Sequence, residues 1–167
     1  MRIVRPACAA AAAALLAGCA GSVSAPVPVE PLAMEQGGAI HLSSVTADAA
    51  EGVPMSEADF GLISQEVKSY IEMGSPGVMD DKAAMTMKIH FTKFDRGNAF
   101  ARFMLIGLGQ IRIEADVDLL DGDGKRRAEY KVAKDFSIGG IYGGMTTVED
   151  VENGFAKSVA EVVKAKS

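Results

Sequence analysis

The chain has 167 residues, with 17 Lys or Arg against 22 Asp or Glu, a net charge of −5, 49% hydrophobic content, 6% aromatic content and no Trp. The acidic balance disfavours a nucleic-acid partner, and the scarcity of aromatic rings disfavours a carbohydrate-stacking platform or an aromatic cage. Both cysteines, Cys8 and Cys19, fall in the first twenty residues, so the remainder offers no thiol for a disulfide, a redox centre or a nucleophile.

At the start, Arg2 and Arg5 precede an apolar run from Ala7 to Ala17, which is the anatomy of a secretory signal. The run is alanine-rich and shorter than the roughly 20 residues a spanning helix needs. Leu16-Ala17-Gly18-Cys19 resembles the lipobox of bacterial lipoproteins. That resemblance implies cleavage between Gly18 and Cys19 and acylation of the Cys19 sulfur; the alternative is an ordinary signal cleavage that leaves a free thiol. Ala20, rather than an aspartate, follows the cysteine, which implies the outer membrane. Removal of residues 1–18 takes both leading arginines, leaving 149 residues with 15 basic against 22 acidic side chains, a mature charge of −7. That length suits one domain with a real core.

Residues 19–38 hold three prolines and no sustained period, the composition of a tether. Free along its length, it would reach about 25 Å on average and about 60 Å at full extension. The expected domain is 39–167. Ala39–Ala47 reads as a strand, Ser56-Glu57-Ala58-Asp59 as a capping box, and Phe60, Ile63, Val67 and Ile71 as the apolar stripe of a helix that ends near Gly74. The following GSPG is a turn; Ser75 lacks the strand-turn-helix elbow of a nucleophile.

Met85, Met87, Ile89 and Phe91 alternate with polar residues, the period of a half-buried strand. Residues 99–107 read as a strand or loop. Ile111, Ile113, Ala115, Val117 and Leu119 then alternate with Arg112, Glu114, Asp116 and Asp118, and a second alternating run follows from Ala128 to Phe136. Asp121-Gly122-Asp123-Gly124 joins the two as a hairpin turn. It is not an EF-hand, because Lys125 and Val132 stand where oxygen ligands are required. Thr147 to Asp150 forms a second cap, and Val148, Val151, Phe155, Val159 and Val162 line a closing amphipathic helix. The expected fold is α+β, in the order β-α-β-β-β-α, with about four mainly antiparallel strands and two helices on one face.

Gly107-Leu108-Gly109 leads into a strand rather than a helix, and no Gly-Lys-Ser/Thr tripeptide occurs. Neither a dinucleotide fingerprint nor a P-loop fits, and the glycines are expected to permit a bulge, a positive backbone angle or a close approach. His41 and His90 lie on separate strands without metal-binding spacing, so no metal and no cofactor are expected. Glu114, Asp116 and Asp118 share one strand face, where they should form ladders with cations such as Arg127 and Lys131.

The run from Gly97 through Gly124 resembles the core signature of a domain-of-unknown-function family of bacterial lipoproteins, carried here by Gly97, Arg102, Gly107, Gly109, Asp121 and Gly124 across roughly 80–165. Gln110 departs from that pattern, which usually places another small residue after the glycine pair. More distantly, the element order is similar to the α+β domains of curli-secretion lipoproteins and of the amino-terminal part of the Tol-Pal translocation protein.

The function read from the sequence is a noncatalytic envelope lipoprotein whose partners are the bilayer, through Cys19, and another envelope protein or a second copy. A small-ligand or peptidoglycan-binding module ranks second and a hydrolase third. Arg102 reads as a snorkelling or ion-paired structural residue, or else as part of a partner-binding patch with Phe103, because residues 99–106 are apolar on both faces. For the second reading the contacts would come from the glycine-rich loops at Gly107, Gly109, Gly139, Gly140, Gly143 and Gly144, whose backbone amides could bind an anion or glycan.

Overall fold

The computed structural model describes residues 25–30, 40–104, 109–136 and 145–164, with the backbone only at 102. The elements run β1 (Val27–Glu30), β2 (Leu42–Ala49), α1 (Glu57–Gly74), β3 (Met85–Asp95), α2 (Ala99–Met104), β4 (Ile111–Leu120), β5 (Arg126–Phe136) and α3 (Val148–Ala160). A 3-10 turn over Glu161–Val163 closes the series. The five strands form one sheet in the order β1-β5-β4-β3-β2.

Both long helices begin as their sequences dictate. The Ser56 hydroxyl accepts from the Asp59 N–H while the Asp59 carboxylate accepts from the Ser56 N–H, and Thr147 and Asp150 repeat the arrangement at α3. Each box satisfies backbone donors that the helix itself leaves open. Strict alternation places Ile111, Ile113, Ala115, Val117 and Leu119 of β4 toward the helices, all buried. Met87, Ile89 and Phe91 of β3 join them, and Ile63, Val67 and Ile71 of α1 with Val151, Phe155 and Val159 of α3 close the core from above. Phe91 sits at its centre, with ring centroids 6.3 Å from Phe60 and 5.4 Å from Phe155.

Three features correct the expected plan. The sheet has five strands, because the Val-Pro-Val-Glu segment inside the presumed tether pairs antiparallel with β5. Proline is tolerated there since an edge strand needs ladder bonds on only one side. The sheet is mixed: β2 and β3 are parallel, as a strand-helix-strand unit demands when α1 carries the chain back to the starting end. Residues 99–104, expected as strand or loop, form the short helix α2, whose Ala101 N–H donates to the Asn98 side chain at 3.0 Å.

The Asp121 turn is a turn. Its carboxylate accepts from the N–H groups of Asp123 and Lys125 at 3.1 and 2.9 Å, and Gly124 takes the positive φ of +76° that closes the hairpin. The GSPG segment likewise serves backbone geometry, with the Ser75 N–H donating to the Ile71 carbonyl at the end of α1.

Candidate functional site

Chain direction gathers several connections at one end of the sheet. β3 finishes at Asp95 opposite Arg112, and β5 finishes at Phe136 opposite Ile111. The β3-β4 connection with α2 and the approach to α3 therefore lie together, beside the N-terminus of α1. Arg96 links these parts: its guanidinium lies 3.6 Å from the Asp59 carboxylate of α1 and 5.3 Å from the Phe94 ring centroid.

The connection is clamped at its base. Gly97 adopts φ +63°, and a Cβ there would overlap the carbonyl oxygens of Gly109 and Gln110. The Asn98 N–H donates to the Gly109 carbonyl at 3.1 Å, and Gly109 itself has φ +66°. Thus Gly109 permits the positive angle and close approach that its position before a strand suggested. Above the clamp, α2 presents Phe100, Phe103 and Met104 at 72%, 51% and 58% exposure, and Met145 at 74% stands at the same end.

Of the candidate contact residues, the structure brings Phe103 and Gly109 into this one connection, and Arg102 lies within α2 between the two exposed phenylalanines. Gly18, Cys19, Gly107, Gly139, Gly140, Gly143 and Gly144 lie outside the described residues. Phe100, Met104 and Met145 are additional; they escape periodicity because a six-residue helix has too few turns to show a stripe, and Met145 follows a glycine-rich run without a period.

The sheet face away from the helices carries charge in paired sets. The Lys131 ammonium donates to Asp116 at 2.8 Å, as the ladder expectation required. Arg127 instead faces Asp121 at 3.8 Å, and Arg126 takes the place beside Asp118 at 3.8 Å and Glu129 at 2.8 Å. One buried Asp118 oxygen lacks a hydrogen bond; burial, with Glu129 and Asp116 nearby, pushes this carboxyl above its ordinary range despite Arg126. Asp48 shows the opposite balance. Burial alone would raise it, but hydrogen bonds and charge from Lys88 and His90, at 2.8 and 2.6 Å, hold it below the usual carboxylate range. Alternation had put Lys88 and His90 on one face of β3, but Asp48 lies one residue beyond the expected end of β2.

Two further places hold polar groups. Between α1 and α3, Glu66 and Glu152 both have raised carboxyls, Glu66 through burial and Glu152 through burial together with Glu149, Asp59 and Glu66. On β5, Lys134 is buried with its stem against Gly154 of α3, and burial lowers its ammonium. An open groove of about 530 Å³ runs between β2 and α1, lined by Val45, Ala47, Phe60, Ser64 and Lys68 among others. His41 meets the Gly77 carbonyl at 3.0 Å, a structural contact near the opposite end. Among the described residues, no group of three or more His, Cys, Asp or Glu is arranged to hold a metal, and no helix is long and apolar enough to cross a membrane.

This geometry defines a two-layer α+β domain with paired surface charge and an apolar end. Residues 64–140 match the family model described as a domain of unknown function, DUF4410; the match begins before the expected signature and stops short of α3. Among solved structures, the chain is similar to the PelC dodecamer from Paraburkholderia phytofirmans, at TM-score 0.58 and 8% identity, covering 85% of this chain and 98% of that one. A single-substitution variant of that protein, also a dodecamer, aligns at TM-score 0.55 and 9% identity over 85% and 100% of the two chains. A chain from Caulobacter crescentus CB15 described as a candidate lipoprotein aligns more loosely, at TM-score 0.43 and 18% identity over 73% and 85%. At such identities the likeness is one of fold. No curated protein sequence matches this chain.

Proposed function

We propose that this chain is a noncatalytic lipoprotein of the bacterial outer membrane, held by palmitate-class acyl chains on Cys19, whose periplasm-facing domain is an assembly module that binds copies of itself. The observation that carries the reading is the fold shared across 85% of the chain with a protein that forms a dodecamer. The sheet supports it with two unlike edges, β1 on one side and β2 on the other. Unlike edges suit head-to-tail contacts, which close into rings when the rotation allows. The leader and lipobox of residues 2–20 support the anchor, since more than one acyl chain holds a protein far more firmly than a single one.

Fractionation tests the anchor. Wild type should incorporate labelled palmitate and pellet with membranes, whereas Cys19→Ser should do neither and keep its leader. Chemical crosslinking in intact cells tests assembly; a ladder of multiples of the subunit mass is expected, and a single crosslinked band to a different protein would assign the module to a foreign partner. A ligand- or peptidoglycan-binding role is favoured by one feature, the open groove beside α1, whose lining mixes polar and apolar side chains. Retention on purified sacculus with no ladder of copies would select that role instead.

A further inference from the structure

Four of the eight large apolar side chains exposed among the described residues stand at one end of the domain: Phe100, Phe103, Met104 and Met145. Clustering at a loop end is unlike the scattered surface apolar residues that need no explanation. The Gly97-Gly109 clamp and the Asn98 cap hold α2 in place, so these side chains are presented rather than left to collapse inward.

The course of β1 says what covers them. β1 runs antiparallel to β5, with Val27 opposite Lys131 and Pro28 opposite Tyr130. Followed backward from Val27, the chain therefore heads toward the Phe136 end of β5, the apolar end. Lys131 lies five residues short of Phe136, about 17 Å at the strand rise. Cys19 lies eight residues before Val27, at most about 29 Å of chain. While β1 stays paired, the acylated sulfur lies no more than about 12 Å beyond the strand ends, even with every residue extended. The β3-β4 connection that carries α2 leaves the sheet at that same end.

We propose that this end is a second membrane contact, with Phe100, Phe103, Met104 and Met145 seated in the same bilayer that holds Cys19. The proposal rests on the anchoring reading above and adds an orientation: the sheet stands on the membrane with the β3-β4 connection down and the C-terminal end of α1 away from it. Pairing of β1 converts a tether that could have let the domain stand about 60 Å clear into a short strap. Glu57, Asp59 and Glu149 at the nearby helix N-termini share this end with Arg96 and with Arg102 of α2, so the proposed contact rests on apolar insertion.

The mature acylated chain has no other thiol, so a single introduced cysteine reports one place. Full-length Phe103→Cys, labelled with an environment-sensitive fluorophore, is reconstituted in phosphatidylcholine vesicles containing brominated acyl chains, alongside Met73→Cys. Met73 is 70% exposed and lies in the last turn of α1, at the opposite end. The expected result is a blue-shifted label at 103 quenched severalfold more than the label at 73; Phe100→Cys should behave like 103 and guards against local damage. Equal quenching at both ends overturns the orientation. A label at 103 that is shielded in detergent as well as in vesicles, without bromolipid quenching, overturns the lipid contact and assigns this end to contacts between copies. Intact mass on the same sample separates the two readings: an acylated chain with an unquenched label sinks this proposal alone, whereas an unmodified Cys19 thiol sinks the anchor and this orientation together.

Discussion

One strand, β4, shows both kinds of surface this protein has. Ile111, Ile113, Ala115, Val117 and Leu119 point into the helix-covered core and are buried, while on the opposite side of the same ten residues Arg112 pairs with Glu114 along the strand and Asp116 and Asp118 meet Lys131 and Arg126 of β5. Burial of the first set drives folding, since each fully buried aliphatic side chain contributes about 1.5–3 kcal/mol. Exposed ion pairs of the second kind contribute about 0–1 kcal/mol each. The sides thus differ in job: one specifies the fold, and the other keeps the sheet soluble at little energetic gain. Features that set this molecule apart lie on neither, but at the end and edges of the sheet.

The sharpest way to break that contrast is to put a charge on the wrong side. Val117→Asp leaves an unpaired carboxylate in the core and should cost about 4 kcal/mol or more, enough to prevent stable folding. Asp116→Asn, its neighbour, removes only the exposed Lys131 pair and should be nearly silent. Urea denaturation followed by circular dichroism measures both, and similar losses would contradict the assignment of faces.

Next in size is the clamp. Gly97→Ala meets both a positive φ and two carbonyl oxygens, and should cost about 2–4 kcal/mol. Gly124→Ala has a similar φ of +76° in open space and should cost only about 1 kcal/mol. A comparison of the two melting temperatures separates close approach from backbone angle.

The smallest effect concerns the seam between α1 and α3. The Glu66 carboxyl is raised in the folded state, so its contribution to stability is fully present below the unfolded carboxyl range near pH 4–5 and is lost as pH rises through the higher folded value. Glu66→Gln should therefore be slightly more stable than wild type at pH 7, with the gain vanishing toward pH 4. Asp48, held low by Lys88 and His90, has the opposite sign: its contribution is present at neutral pH and lost as pH falls through its folded value.

Legibility in the sequence follows the same division. The caps at Ser56 and Thr147, the alternation of β3, β4 and β5 and the stripe of α3 were all readable, because local hydrogen-bonding chemistry and apolar period decide them. β1 was hidden, since four residues with a proline are too few to show a sustained period and gain strand character only from the β5 edge. The parallel pairing of β2 with β3 left no trace in periodicity and had to come from the topology of strand-helix-strand. α2 was unreadable for a different reason: an apolar hexapeptide fits strand, loop or helix equally until Asn98 caps it. The candidate site was legible only in part. Phe103 and Gly109 were marked by apolar runs and glycine, but the grouping of Met145 with α2 is a long-range consequence of where β3 and β5 end.

Native mass spectrometry of the full-length chain, extracted from membranes in mild detergent, reads anchoring and assembly in a single spectrum. Acylated subunits released from one discrete multi-subunit assembly are expected. A monomer bearing an unmodified Cys19 thiol would contradict both.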